Sequence, residues 1–321
     1  MFPTVRLRRT RKNQNIRDIF SETSIDPGKM VMPIFIDETI EGKKEIRSMP
    51  GIYSFSFDAF KDYVKDLDGI GVRSVLLFGI PSHKDSTGSS AYEENGIVQR
   101  SIEYVKSNTD MVTMADLCMC EYTDHGHCGI LKGKEVDNDS TLEAYRKIAR
   151  SYAQSGADVI APSGMMDGQV GEIRDELDLS GFNNTIIMAY SSKFASSMYG
   201  PFRDAAQSSP SFGDRRSYQM DFRNSSQAMK EIELDIYEGA DIVMIKPALF
   251  YLDLIGMARD RFDVPLAAYN VSGEYSMLKN AVSTGLLSES AIGEALMSIF
   301  RAGANIVISY FTEEIVRSGS K

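Results

Sequence analysis

The chain reads as an α/β protein, a (β/α)8 barrel of the TIM type preceded by an extended N-terminal arm. Three observations predict this. Eight short apolar or β-branched runs recur along 321 residues, longer stretches of helical periodicity separate them, and three of those stretches end in glycine. Eight alternating units point to a closed barrel, with an open doubly wound sheet as the alternative that counting leaves in place.

Taken in order, residues 1–29 come before the first run and are polar and basic. They read as an arm whose partner lies outside the barrel, on another subunit. Residues 30–321 form the barrel. Its expected strands are MVMPIFI (30–36), SVLLFGI (74–80), MVTMADL (111–117), DVIAPS (158–163), TIIMAYS (185–191), DIVMIKP (241–247), PLAAYNV (265–271) and NIVISYF (305–311). Helix-like stretches such as FDAFKDYVKDL, STLEAYRKIARSYAQSG, SQAMKEIELDIYEG and SESAIGEALMSIFRAG lie between them. Three close on Gly156, Gly239 and Gly303, each followed by Ala and then Asp or Asn, which suits a left-handed cap before the next strand. One connection breaks the rhythm: KFASSMYGPFRDAAQSSPSFGDRRSYQMDFRNS, after the fifth strand, is long and rich in Gly, Ser, Pro and Arg. A long irregular connection at the C-terminal rim of a barrel reads as an active-site lid, about 194–224.

Composition narrows the function. A net charge of −10 and a pI near 5.0 argue against a nucleic-acid footprint, which needs clustered Lys and Arg. The one basic run, RLRRTRK from Arg6 to Lys12, is not followed by an apolar stretch of signal-peptide length, and no run approaches the roughly 18 apolar residues of a bilayer span. A soluble cytoplasmic protein is the expectation. Three cysteines, two of them one residue apart, make a disulfide framework improbable and a reducing compartment the expected setting.

Reactive residue types gather at the C-terminal ends of the expected strands: Asp116, Cys118 and Cys120 on the third, then Ser163, Lys193, Lys246, Ser272 and Tyr310 on the following five. Lys246 closes the apolar run IVMIK and precedes Pro247, so its ammonium is drawn from water into the barrel mouth, which lowers an amine pKa as a nucleophile requires. Lys193 ends the neighbouring run in the same way. Two such amines suit a site that forms imines with two carbonyl groups, although a lysine snorkelling to the rim is the bland alternative. The loop DLCMCEYTDHGHCG holds every cysteine of the chain. Its Cys-x-Cys-x7-Cys spacing lets Cys118, Cys120 and Cys128 converge on one tetrahedral zinc with a fourth position open; a closed site that recruits His125 or His127, or unligated thiols, are the alternatives. Arg203, Arg215 and Arg216 in the lid suit a carboxylate substrate, with solvated loop arginines as the other reading.

DLCMCEYTDHGHCG, YSSKFASSMYGPFRDAAQSSPSFGDRRSYQ, MIKPALFYLD and YNVSGEYSM together resemble the corresponding segments of the porphobilinogen synthase family, also called 5-aminolevulinate dehydratase, from the arginine-rich start to the last strand. The resemblance implies a barrel with an N-terminal arm, a homo-octamer in which arms wrap neighbours, and condensation of two 5-aminolevulinate molecules to porphobilinogen in tetrapyrrole (heme) biosynthesis. By the same resemblance Lys193 and Lys246 are the imine-forming lysines and Cys118, Cys120 and Cys128 bind a catalytic zinc. Ser272 and Tyr310 would hold the carboxylate of the propionate-side molecule on Lys246. Arg203, Arg215 and Gln219 would lie near that of the acetate-side molecule on Lys193, with Asp116, Ser163 and Tyr199 nearby, and Phe202, Tyr269 and Val271 complete the substrate-binding set. Glu231 matches a ligand of a regulatory magnesium that some members bind. Gly164 departs from the family, which usually has Asp there. A one-lysine aldolase and a zinc-storage scaffold are the rival readings; the first leaves Lys193 and the cysteine loop without a task, the second both lysines and the arginine lid.

Overall fold

The computed structural model describes residues 2–319. Met1, Ser320 and Lys321, the outermost positions of the expected arm and barrel segments, lie outside the described residues. The barrel strands are β1 (Met30–Asp37), β2 (Ser74–Ile80), β3 (Val112–Leu117), β4 (Val159–Pro162), β5 (Ile186–Lys193), β6 (Ile242–Lys246), β7 (Leu266–Asn270) and β8 (Ile306–Ser309). Each pairs in parallel with the next, and β8 returns to β1 through Met30 opposite Val307 and Val31 opposite Ile308. This last pairing closes the barrel and removes the open-sheet alternative. All eight lie where the apolar runs predict them, within a few residues at their ends.

The strands are legible as runs rather than alternations because both faces are covered. Every residue of β1, β2, β6 and β7 is buried, the inner face against the barrel interior and the outer face against helices. The helices turn one stripe inward: Asn138–Gln154 buries Thr141, Ala144, Tyr145, Ile148, Ala149 and Tyr152, each with a partner three or four residues away. Two of them are capped by side chains at their N-termini: Ser56 accepts from Ala59 N, and Asp137 from Ser140 N at 2.9 Å. Gly156, Gly239 and Gly303 take φ of 95°, 104° and 122°, the left-handed turn that sends the chain from each helix into the next strand.

Two small hairpins escape a periodicity reading because their strands are two or three residues long. Lys43–Glu45 pairs with Tyr53–Phe55, which lies parallel beside β1, and Leu131–Lys132 pairs with Glu135–Val136 just past the cysteine loop. The long connection after β5 is not wholly irregular, since Ser197–Tyr199 and Gly200–Ala205 are helical turns. Within β5 the register slips: Val243 faces Ala189 but Ile245 faces Ser192, so β5 spends one more residue than β6 over the same rise. The arm forms short helical turns at Leu7–Arg11, Gln14–Ile19 and Pro27–Lys29 and buries none of their residues. No helix among the described residues is long and apolar enough to cross a membrane.

Candidate active site

Lys193 and Lys246 end adjacent strands, and their Cα atoms are register partners. Both side chains are drawn into the mouth, each residue 5% exposed. Four rings surround the Lys246 amine, with centroids 4.0 Å (Tyr269), 4.9 Å (Tyr190), 5.1 Å (Phe202) and 5.5 Å (Tyr199) from Nζ. Burial there, and secondly the charge of Lys193, pull its pKa down to about 7. The Lys193 amine donates to the carbonyl of Ser163, at the end of β4. The Ser163 hydroxyl in turn donates to Asp116 Oδ2 at 3.0 Å, while Asp116 Oδ1 has no partner. Burial pushes that carboxyl up against the opposing pull of the two lysines.

A cavity of about 10 Å3 lies between these groups. Asp116 and Ser163 bound it from the barrel, Tyr199, Phe202 and Arg215 from the lid, and Cys120 with Glu121 from the cysteine loop. The segment after β5 is bonded to that loop: Ser211 N donates to the His125 carbonyl at 3.0 Å, and Arg215 Nη2 to the Gly126 carbonyl at 2.9 Å. Gly126 has no side chain because a Cβ there would stand 2.4 Å from the carbonyl oxygen of Ser209.

Three sulfurs converge as their spacing predicts. The Sγ atoms of Cys118, Cys120 and Cys128 all lie within 4.8 Å of one another, and each residue is at least 98% buried. A buried cluster of soft donors at this separation fits a thiophilic metal. Burial pushes the Cys118 thiol up, whereas hydrogen bonds from Cys118 and Cys120 hold Cys128 well below the usual thiol range. Neither neighbouring histidine turns a free nitrogen to the sulfurs. His127 Nδ1 meets Tyr218 Oη and Nε2 the Phe212 carbonyl, both at 3.1 Å; His125 Nδ1 accepts from His127 N, and Nε2 meets the Ser86 carbonyl at 3.3 Å.

Gly164, the departure from the family pattern, is explained by Tyr145. A Cβ at 164 would stand 1.7 Å from the Tyr145 hydroxyl, which donates to the Cys128 carbonyl at 2.7 Å. The missing side chain makes room for a tyrosine that pins the third cysteine.

The remaining expected residues take different places around the mouth and beyond it. Arg203 and Arg215 both leave a buried Nε without a partner, and burial, helped by Arg215, pulls Arg203 down. Gln219 is buried with both amide atoms unpartnered, but it lines a neighbouring cavity of about 630 Å3 rather than the small one. Ser272 and Tyr310 join the Lys246 side through intermediaries: Ser272 Oγ accepts from Phe202 N at 2.9 Å, and Tyr310 Oη lies 3.3 Å from Tyr269 Oη. Val271 donates its N–H to Glu274. Glu231 is set apart from both lysines, lining the larger cavity with Asp167 and Asp235.

Four residues were not legible as site residues. Tyr190 lies three positions before Lys193, and strict alternation would put it on the opposite face; the extra residue in β5 brings both to the mouth. Glu121 is buried beside Cys120, with Oε2 3.2 Å from its sulfur and Oε1 unpartnered. Glu274 is fully buried and accepts from Leu249 N, Val271 N and Asn270 Nδ2. It thereby ties the segment after Lys246 to the one bearing Ser272. Tyr145 is the fourth. Buried Glu and Tyr beside motif residues were the available signal.

Comparison with known proteins agrees with this geometry. The profile of the delta-aminolevulinic acid dehydratase family matches residues 4–318. The chain is 54% identical to the delta-aminolevulinic acid dehydratase of Methanothermus sociabilis and 55% identical to that of Archaeoglobus fulgidus, in each case covering 98% of both chains. Its fold superposes with a TM-score of 0.96 on the crystal structure of delta-aminolevulinic acid dehydratase (porphobilinogen synthase) from Toxoplasma gondii in complex with the reaction product porphobilinogen, at 37% identity and covering 99% of this chain and 92% of that one. With the whole barrel, both rim lysines and the cysteine loop inside the matched span, the chain belongs to the delta-aminolevulinic acid dehydratase family, the lyases also called porphobilinogen synthases.

Proposed function

We propose that this enzyme joins its two 5-aminolevulinate molecules through imines on Lys193 and Lys246, with zinc on Cys118, Cys120 and Cys128. The observation that carries the reading is the pairing of two buried amines across one β5–β6 register position, one of them held at about 7, beside three converging thiols. A neutral amine attacks a ketone and loses water; the imine then acidifies the adjacent carbon, as carbon–carbon bond formation requires. Two such condensations and a ring closure lose two waters in all. Lys246 takes the propionate-side molecule, whose carboxylate reaches Ser272 and Tyr310. Lys193 takes the acetate-side molecule, under Arg203, Arg215 and Gln219, with Asp116, Ser163 and Tyr199 around its reacting end; Phe202, Tyr269 and Val271 wall the Lys246 side. The unpartnered donors of the lid support a carboxylate there, because buried polar atoms without partners cost about 1–3 kcal/mol each until a ligand satisfies them. Zinc, when bound, supplies a Lewis acid toward the acetate-side carbonyl. His127, its ring nitrogens held by Tyr218 and Phe212, orients the loop rather than ligating.

The assembly we infer is a homo-octamer built by the arm, in the cytoplasm, with Glu231 beside Asp167 and Asp235 as the magnesium position. Incubation with 5-aminolevulinate, with and without zinc, and an assay for porphobilinogen tests the reading. Product is expected with zinc, none in Lys246→Ala, and little in Cys128→Ala at an unchanged circular-dichroism spectrum. Full turnover in chelated protein would remove the metal from the chemistry.

A further inference from the structure

Tyr190 is fully buried, and its hydroxyl has no hydrogen-bond partner among the described residues. Buried phenols nearly always find one, so an orphan beside two buried amines calls for an occupant. Its surroundings say which. The ring centroid lies 4.9 Å from the Lys246 amine and 5.6 Å from the Lys193 amine, so one ring stands beside both lysines. That hydroxyl faces the Asp116 carboxyl, which also leaves Oδ1 unpartnered, and Asp116 with both lysines lines a cavity that has room for about one water-sized oxygen. Only the register slip in β5 places Tyr190 here.

We propose that Tyr190 is a further catalytic residue, whose hydroxyl donates a hydrogen bond to the carbonyl oxygen of the molecule condensing with Lys246. The inference rests on the imine reading of Lys246. As the amine lone pair forms the C–N bond, the carbonyl π electrons move to oxygen, and the negative oxygen accepts the Tyr190 bond. A proton passes from nitrogen to that oxygen, giving the carbinolamine. The nitrogen lone pair then forms C=N as the C–O bond breaks, and the departing hydroxide takes the remaining N–H proton and leaves as water. Both protons of the water come from the amine, so Tyr190 stays neutral throughout. Burial, and then Asp116, hold its hydroxyl well above the usual phenol range, which keeps the donor in place. A donor preset where charge develops stabilises the transition state more than the bound ketone.

The test uses the full-length wild-type enzyme and Tyr190→Phe, which keeps the ring and its packing. Each is mixed with levulinate, the same keto acid without the amino group, and the imine on Lys246 is trapped with borohydride against time. The wild type is expected to form the adduct, and Tyr190→Phe to form it about 100-fold more slowly, to the same final extent and with KM for 5-aminolevulinate little changed. An unchanged trapping rate in Tyr190→Phe overturns the proposal, and so does a loss confined to KM. Absence of any adduct on Lys246 in the wild type would instead overturn the imine reading itself. Should Tyr190→Phe differ from wild type in its circular-dichroism spectrum, 3-fluorotyrosine at position 190 carries the test. It is a stronger donor of nearly the same shape and is expected to raise the trapping rate severalfold; an unchanged rate overturns the proposal.

Discussion

At the scale of single residues, the site is governed by where water is excluded. Lys246 sits among four aromatic rings and beside a second lysine, and its pKa falls from 10.5 to about 7. Only the neutral amine attacks a carbonyl. The rate of adduct formation on Lys246 is therefore expected to rise with pH up to about 7 and then level off. A midpoint near 10.5, read from borohydride trapping across a pH series, would mean that the amine is solvated and the site open. Gly164 carries a second prediction. Adding one methyl there forces the Tyr145 hydroxyl away, because the two atoms would otherwise stand 1.7 Å apart. The Cys128 carbonyl then loses its donor. Gly164→Ala is expected to cost about 1–3 kcal/mol of stability from overpacking and to weaken metal retention, measured by urea unfolding and by competition with a chelator. Unchanged metal affinity would show that Tyr145 does not hold the third cysteine in place.

At the scale of elements, the helix-to-strand corners are strained positions that glycine relieves. An alanine at φ near 95–122° costs about 1–2 kcal/mol wherever it is placed, so backbone strain alone makes Gly156→Ala and Gly303→Ala equivalent. Packing separates them. A Cβ at 303 would lie 2.7 Å from the Arg259 Cβ, whereas at 156 the nearest neighbour is Lys106 Cγ at 3.6 Å. Gly303→Ala is expected to lower the urea midpoint clearly further than Gly156→Ala, and equal midpoints would mean that the helix Leu252–Arg261 shifts without cost. The lid obeys the same logic of specific contact. Composition reads it as a cover, and its later half is bonded to the cysteine loop through His125, Gly126 and His127. Composition could not name that partner, since the two segments are about 85 residues apart in the chain and meet only in space.

For the whole molecule, the arm is the part the barrel does not explain. Phe2, Val5, Leu7, Ile19 and Phe20 are 96%, 74%, 74%, 79% and 61% exposed, an apolar set left in water by this one chain. Isolated apolar residues on a surface are ordinary, but five in one short basic segment suit a surface on another copy. Deleting residues 1–12 is expected to lower the mass of the assembly in sedimentation or light scattering while the barrel's circular-dichroism spectrum persists. An unchanged mass would assign the arm no part in assembly.

The eight strands and their helices were legible because each is a local pattern: a buried run, a 3.6-residue stripe, a glycine where the backbone must turn left-handed. Lys193, Lys246 and the three cysteines were legible for a related reason, since a charge or thiol at the end of an apolar run is anomalous on its own segment. The paired short hairpins, the place of Gln219 in the larger cavity and the roles open to Tyr190, Glu121, Tyr145 and Glu274 were not. Each depends on a contact between distant segments or on a one-residue slip between neighbouring strands. Such a slip moves a side chain from one face of a sheet to the other without changing a letter of the local pattern.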